Sequence, residues 1–154
     1  MQEVRRRYGL TVSRNKEEKT ISVCEYNDSV VAEVPMPVII TDEDIDDILV
    51  SAFNGGINYW CYVTEIIGEP LGDCSSKHVS HGGSITIHDK VSDVDFVLGK
   101  DKMINGIIRY INQPSSCDIL EVQNHQLVLD TGYVDAEVAD AIVQYALLGD
   151  IMYA

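Results

Sequence analysis

At 154 residues, 45% hydrophobic and 23% charged, the chain has the length and composition of one folded domain, able to bury roughly 68–70% of its unfolded surface. Its formal charge of −14 is unevenly spread, with a net +3 over residues 1–20 and a net −17 over residues 21–154. An acidic body repels phosphate, which excludes direct nucleic-acid binding for everything beyond the short basic N-terminus. No window approaches the roughly 18 apolar residues of a membrane span.

The opening MQEVRRRYGLTV has basic residues but no apolar run behind them. A secretory signal is therefore not expected, and the chain is expected in the cytoplasm. Cys24, Cys61, Cys74 and Cys117 lie far apart without paired spacing, which fits reduced, partly buried thiols in that compartment.

Taken in chain order, YGLTVSR and TISVCEY alternate like strands around a polar RNKEEK turn. After the turn cluster Asn27-Asp28-Ser29, VVAEVPMPVII resumes a β-like run whose Pro35 and Pro37 place its end at an edge or connection. Residues 1–38 are thus expected to form a strand-rich hairpin or meander. It either belongs to the same domain or serves as an arm whose strand edges pair two copies as a homodimer.

Residues 39–154 are expected to form an α+β core: small antiparallel sheets packed with about three helices. The first helix starts near Asp42. Ile45, Ile48, Leu49, Ala52, Phe53 and Gly56 fall on one face, Thr41 suits the N-cap, and Asp42, Glu43 and Asp44 fill the first turn, where the helix dipole favours negative charge. CYVTEII, SITIHDK and SDVDFVLG read as strands, with GEPLGDCSS as a loop. A second helix runs from Asp101 to about Asn112 on a stripe of Met103, Ile104, Ile107, Ile108 and Ile111. CDILEVQNHQLVLD fits either strand or helix. The third helix runs from an Asp135 N-cap to about Leu148, with Val138, Ile142, Tyr145 and Ala146 on one face and Gly149 as its stop.

Motifs for catalysis are weak. Cys74, His78, His81 and His88 lie within fifteen residues, but their spacing lacks the regularity of zinc signatures, so neither a metal nor a cofactor is expected. HGGS at 81–84 and NGG at 54–56 are too short for a phosphate loop. There is no GxSxG elbow, and no catalytic residue is assigned. The FNGGINYWCY stretch offers more: Asn58 and Tyr59 combine an amide and a flat ring beside two glycines and suit a surface role. Trp60 is expected in the core, and Gly56 on the packing face of the first helix.

Three stretches together, TDEDIDDILVSAFNGGINYW at 41–60, SHGGSITIHD at 80–89 and LDTGYVDAEVADAIVQYALLGDIMYA at 129–154, resemble a family of small acidic proteins from phages, prophages and mobile elements of Gram-positive bacteria. The specific parts are GGxNYW and ADAIVQYALxG, and the resemblance spans about residues 39–154. It carries over no catalytic residue. It implies an accessory, non-enzymatic protein of an infected or lysogenic host that binds and inhibits a bacterial defence component, an anti-CRISPR or similar.

The expected partner is a basic host protein such as a nucleic-acid-binding effector. It would be met by a DNA-mimicking acidic surface at Asp42, Glu43, Asp44, Asp46 and Asp47, with Asn58 and Tyr59 nearby in sequence. Two alternatives stand beside this. One is a binder of a signalling nucleotide using Tyr59 or Trp60 as a stacking platform. The other is a small hydrolase built on the Cys74–His88 region.

Overall fold

The computed structural model describes residues 7–12, 19–24, 30–113 and 117–154. The fold is α+β, with three three-stranded sheets and four α-helices among the described residues. The chain divides into two compact units, Met1–Ile39 with Ile111–Asp130, and Ile40–Tyr110 with Thr131–Ala154. The first unit thus takes in the segment 111–130 as well as the N-terminal strands.

In the first unit, β1 (Arg7–Val12), β2 (Lys19–Cys24) and β3 (Val30–Met36) form an antiparallel meander in the order β1-β2-β3. Pro35 stands opposite Thr20 on the edge strand β3, the position in a sheet that tolerates a residue without an N–H. The expected turn at RNKEEK lies outside the described residues except for Lys19, which opens β2, and the one at Asn27–Ser29 lies wholly outside them. The short β4 (Val38–Ile39) runs parallel to β9 (Gln126–Leu129), which pairs antiparallel with β8 (Leu120–Gln123). The ambiguous segment is therefore a hairpin. Its two-residue loop, Asn124-His125, has φ of 49° and 63°, the left-handed pair that a tight hairpin turn demands.

In the second unit, α1 (Asp42–Ser51) starts with a capping box. The Thr41 hydroxyl accepts from the Asp44 N–H at 3.1 Å, and the Asp44 carboxylate accepts from the Thr41 N–H at 2.8 Å. Ile45, Ile48, Leu49 and Ala52 are fully buried, as the helical spacing requires. The helix passes into a π-type turn at Ala52–Gly56, and helical geometry is lost at Gly55, with φ 161°. A Cβ on Gly56 would lie 2.6 Å from the carbonyl oxygen of Ala136, so glycine is required there for close approach to the last helix.

β5 (Cys61–Ile67), β6 (Ser84–Asp89) and β7 (Val94–Gly99) form an antiparallel meander with β6 in the centre. β6 alternates strictly, burying Ile85, Ile87 and Asp89 on the core side. Between β5 and β6 lies α2 (Ser75–Ser80), a helix that the sequence pattern does not announce. Ser-Ser-Lys-His-Val-Ser has poor helix propensity and only six residues, so packing on α1, β6 and β7 must hold it. α3 (Lys100–Ile111) buries Met103 and Ile107 as expected.

The last helix, α4 (Ala136–Leu148), is capped by Asp135, whose carboxylate accepts from the Val138 N–H at 2.9 Å. It stops at Gly149, which is left-handed at φ 79°. Its buried arc differs from the apolar stripe read off the sequence. Ala139, Ile142 and Val143 are buried, and with them the polar Asp140 and Gln144, while Val138, Tyr145 and Ala146 are only half-buried. No helix among the described residues is long and apolar enough to cross a membrane.

Candidate functional site

The buried Asp140 and Gln144 organise the second unit. They sit four residues apart on one face of α4 and reach back to the turn after α1. The Trp60 indole N–H donates to one Asp140 oxygen at 2.7 Å, and the Tyr59 hydroxyl donates to the other, also at 2.7 Å. Gln144 Nε2 donates to that second oxygen at 3.0 Å and to the Tyr153 carbonyl at 3.0 Å. Its Oε1 accepts from the backbone N–H groups of Met152 and Tyr153, each at 2.8 Å. The amide of Gln144 therefore has one allowed orientation.

Tyr153 completes the arrangement. Its ring stacks on Trp60 at 5.0 Å between centroids, and its hydroxyl donates to Asp89 at 2.7 Å. Asp89 also accepts from the backbone of Val91 at 2.8 Å and Ser92 at 3.1 Å. Trp60 is fully buried, as expected from its sequence context, and two carboxylates anchor the polar groups around it.

Beside this network lies a groove of about 580 Å³, lined by Gly55 and Gly56 on one side and by Glu137, Asp140, Ala141 and Gln144 of α4 on another. Tyr59, Ile151 and Tyr153 complete its apolar wall. Tyr59 is 49% exposed, whereas Asp140 is 8% and Gln144 1% exposed. Among the described residues, neither lysine, arginine nor histidine lines it.

The electrostatics follow from this enclosure. Burial first, then the hydrogen bond to Asp140, pushes the Tyr59 phenol up to about 12, so it remains a neutral donor near pH 7. Burial and the nearby charges of Asp140 and Asp89 push the Cys61 thiol up to about 12 as well, which makes it a poor nucleophile. Burial works against charge on Asp89, but the bonds from Tyr153, Ser92 and Val91 outweigh it and draw its pKa down to about 2.

A carboxyl with a pKa near 2 when folded and about 3.9 when unfolded stabilises the fold above the unfolded value, and that contribution is lost as the pH falls through the folded one. Acid should therefore erode stability between about pH 5 and pH 2. Tyr153→Phe, which keeps the ring stack but removes the donor, should raise the Asp89 pKa and flatten that decline. Thermal midpoints measured across the acid range check this, and equal slopes in the two proteins would refute it.

The residues expected at a site are dispersed by comparison. Asp42 is exposed and forms an ion pair with Lys100. Glu43 is exposed, Asp44 serves the cap, and Asp47 accepts from the Thr131 hydroxyl at 2.9 Å. Asp46 is half-buried with one carboxylate oxygen enclosed and without a hydrogen-bond partner. None of these five lines the groove. Asn58 is exposed and donates to the Phe53 carbonyl at 3.3 Å. Only Tyr59 reaches the site.

The Cys74–His88 region is not gathered either. His78 is buried; its Nδ1 accepts from the Leu71 N–H at 3.0 Å and its Nε2 faces the carbonyls of Ile67 and Ser84 at 3.1 Å each. Both ring nitrogens are thus committed to backbone, and the ring serves to fasten α2. His81 meets the Leu71 carbonyl at 2.8 Å, and His88 on β6 pairs with Asp95 at 2.7 Å. Among the described residues no three His, Cys, Asp or Glu side chains converge as a metal site.

Asp140 and Gln144 are the residues that sequence reasoning missed. The available signal was a pair of polar side chains four apart inside the apolar ADAIVQYAL run. GGxNYW supplies Gly56, Tyr59 and Trp60, and ADAIVQYALxG supplies Asp140 and Gln144, so the two motifs singled out in the sequence are halves of one hydrogen-bonded network. No protein-family model, curated protein or solved structure matches the chain.

Proposed function

We propose that the chain acts by binding a basic protein and does no covalent chemistry of its own. The observation that carries this reading is charge: a net −17 over residues 21–154, which attracts and orients a positively charged partner. The groove supports it, because the charged side chains among its described lining residues, Glu137 and Asp140, are both acidic. The same lining argues against a signalling nucleotide, whose phosphates need cationic or N–H donors. The hydrolase reading loses support from His78, whose ring nitrogens are taken up by backbone groups, and from His81, whose Nδ1 meets the Leu71 carbonyl.

The narrower proposal, that this partner is a nucleic-acid-binding effector of bacterial defence, draws on the motif resemblance. The immobilised chain is expected to retain basic nucleic-acid-binding proteins from a Gram-positive lysate at low ionic strength. Added salt should release them and duplex DNA should displace them. If nothing basic is retained, or retention ignores both salt and DNA, the reading fails.

A further inference from the structure

We propose that the groove beside Tyr59 and Asp140 is a receptor for an arginine side chain of the basic partner. This rests on the preceding reading and gives it a location. Glu137, Asp140, Ala141 and Gln144 fall at i, i+3, i+4 and i+7 of α4, so one helical face presents two carboxylates, a small side chain and an amide to the same space.

Among the described residues, Asp140 accepts from an indole, a phenol and an amide, all of them neutral. Its two oxygens offer about four lone-pair sites, of which three are used. A buried carboxylate held only by neutral donors favours a cation placed next to it. Glu137, exposed at the opposite end of that helical face, supplies a second negative charge.

The rest of the lining selects the kind of cation. The walls are mostly apolar, with the half-exposed ring of Tyr59, Ile151 and Tyr153 among the lining residues. A compact, strongly hydrated ammonium would lose its water there. A guanidinium is weakly hydrated, stacks on an aromatic face and presents several donors at once. Gly55 carries no side chain and has open space beside it, with nothing within 4 Å of where a Cβ would stand, which leaves room for the backbone of the incoming segment. The volume of about 580 Å³ suits one side chain with its neighbours, within the roughly 300–1,000 Å³ of binding pockets.

The test titrates the full chain with acetyl-Gly-Gly-Arg-Gly-Gly-amide and with its lysine and citrulline counterparts, following amide shifts of Gly55, Gly56 and Ala141 by NMR. The arginine peptide should shift these resonances, the lysine peptide less, and the neutral citrulline peptide not at all. Glu137→Lys and Tyr59→Ala should each weaken the arginine peptide by about tenfold or more, with unchanged circular dichroism showing that both variants fold.

Equal responses to arginine and citrulline, shifts confined to other residues, or full binding in both variants would overturn the proposal. If basic proteins are still retained in that case, the groove assignment fails while the binding function stands. If the wild-type chain retains no basic protein either, both fail.

Discussion

Asp140→Ala is expected to destabilise the folded chain by about 2–4 kcal/mol, the cost of a stranded buried donor plus an incompletely filled space. The fully buried Trp60 N–H would lose its acceptor, and Gln144 would lose one of its partners. Asp140→Asn should fall between the variant and wild type. One amide oxygen can still accept from Trp60, but the amide N–H₂ must then face that of Gln144. Gln144 cannot turn away, because its oxygen is held by the backbone of Met152 and Tyr153. Urea unfolding followed by far-ultraviolet circular dichroism measures both. An alanine variant within about 0.5 kcal/mol of wild type, the range of an ordinary surface change, would show that the network does not hold the fold. Tyr59 gives a second readout: with Asp140 neutral, its phenol should titrate below its present value of about 12.

Gly106→Ala should cost about 2 kcal/mol net, despite the roughly 1 kcal/mol that alanine gains in helix propensity. A Cβ at this position of α3 would lie 2.5 Å from the Ile142 carbonyl oxygen and 2.8 Å from the Ala146 Cβ. Those are backbone and near-backbone atoms of α4, so no side chain can swing aside and the helices must separate. Asn105→Ala, exposed one position earlier, should be neutral or mildly stabilising. Comparing the two in one denaturation series isolates the contact from the propensity. A stabilised Gly106→Ala would mean that α3 and α4 have slack between them.

What could be read in the sequence was what local chemistry decides. Thr41 and Asp135 announce helix starts because each side chain bonds a backbone N–H three residues on, and Gly149 announces a stop because the chain there turns left-handed. β6, the central strand of its meander, shows its alternation directly. The hairpin at 120–129 was hidden because its turn is Asn-His, which lacks the glycine that usually marks such a loop. α2 was hidden because its stability comes from neighbours. The site was least legible for a similar reason. Tyr59 and Trp60 meet Asp140 across 81 and 80 positions of chain, and no periodicity encodes a contact of that span. The acidic run of α1 drew attention through density, yet Asp44 is spent on the cap, Asp42 on Lys100 and Asp47 on Thr131.

The parallel pairing of β4 with β9 has a consequence for synthesis. Val38 and Ile39 leave the ribosome long before their partners Leu127 and Val128 exist. At roughly 5–20 residues per second the wait lasts several seconds. Over that time the strand following the N-terminal meander has an open edge, and the meander itself can close from local contacts alone. Expression of fragments ending before residue 126 should therefore yield chains with an unpaired β4, prone to association through that edge.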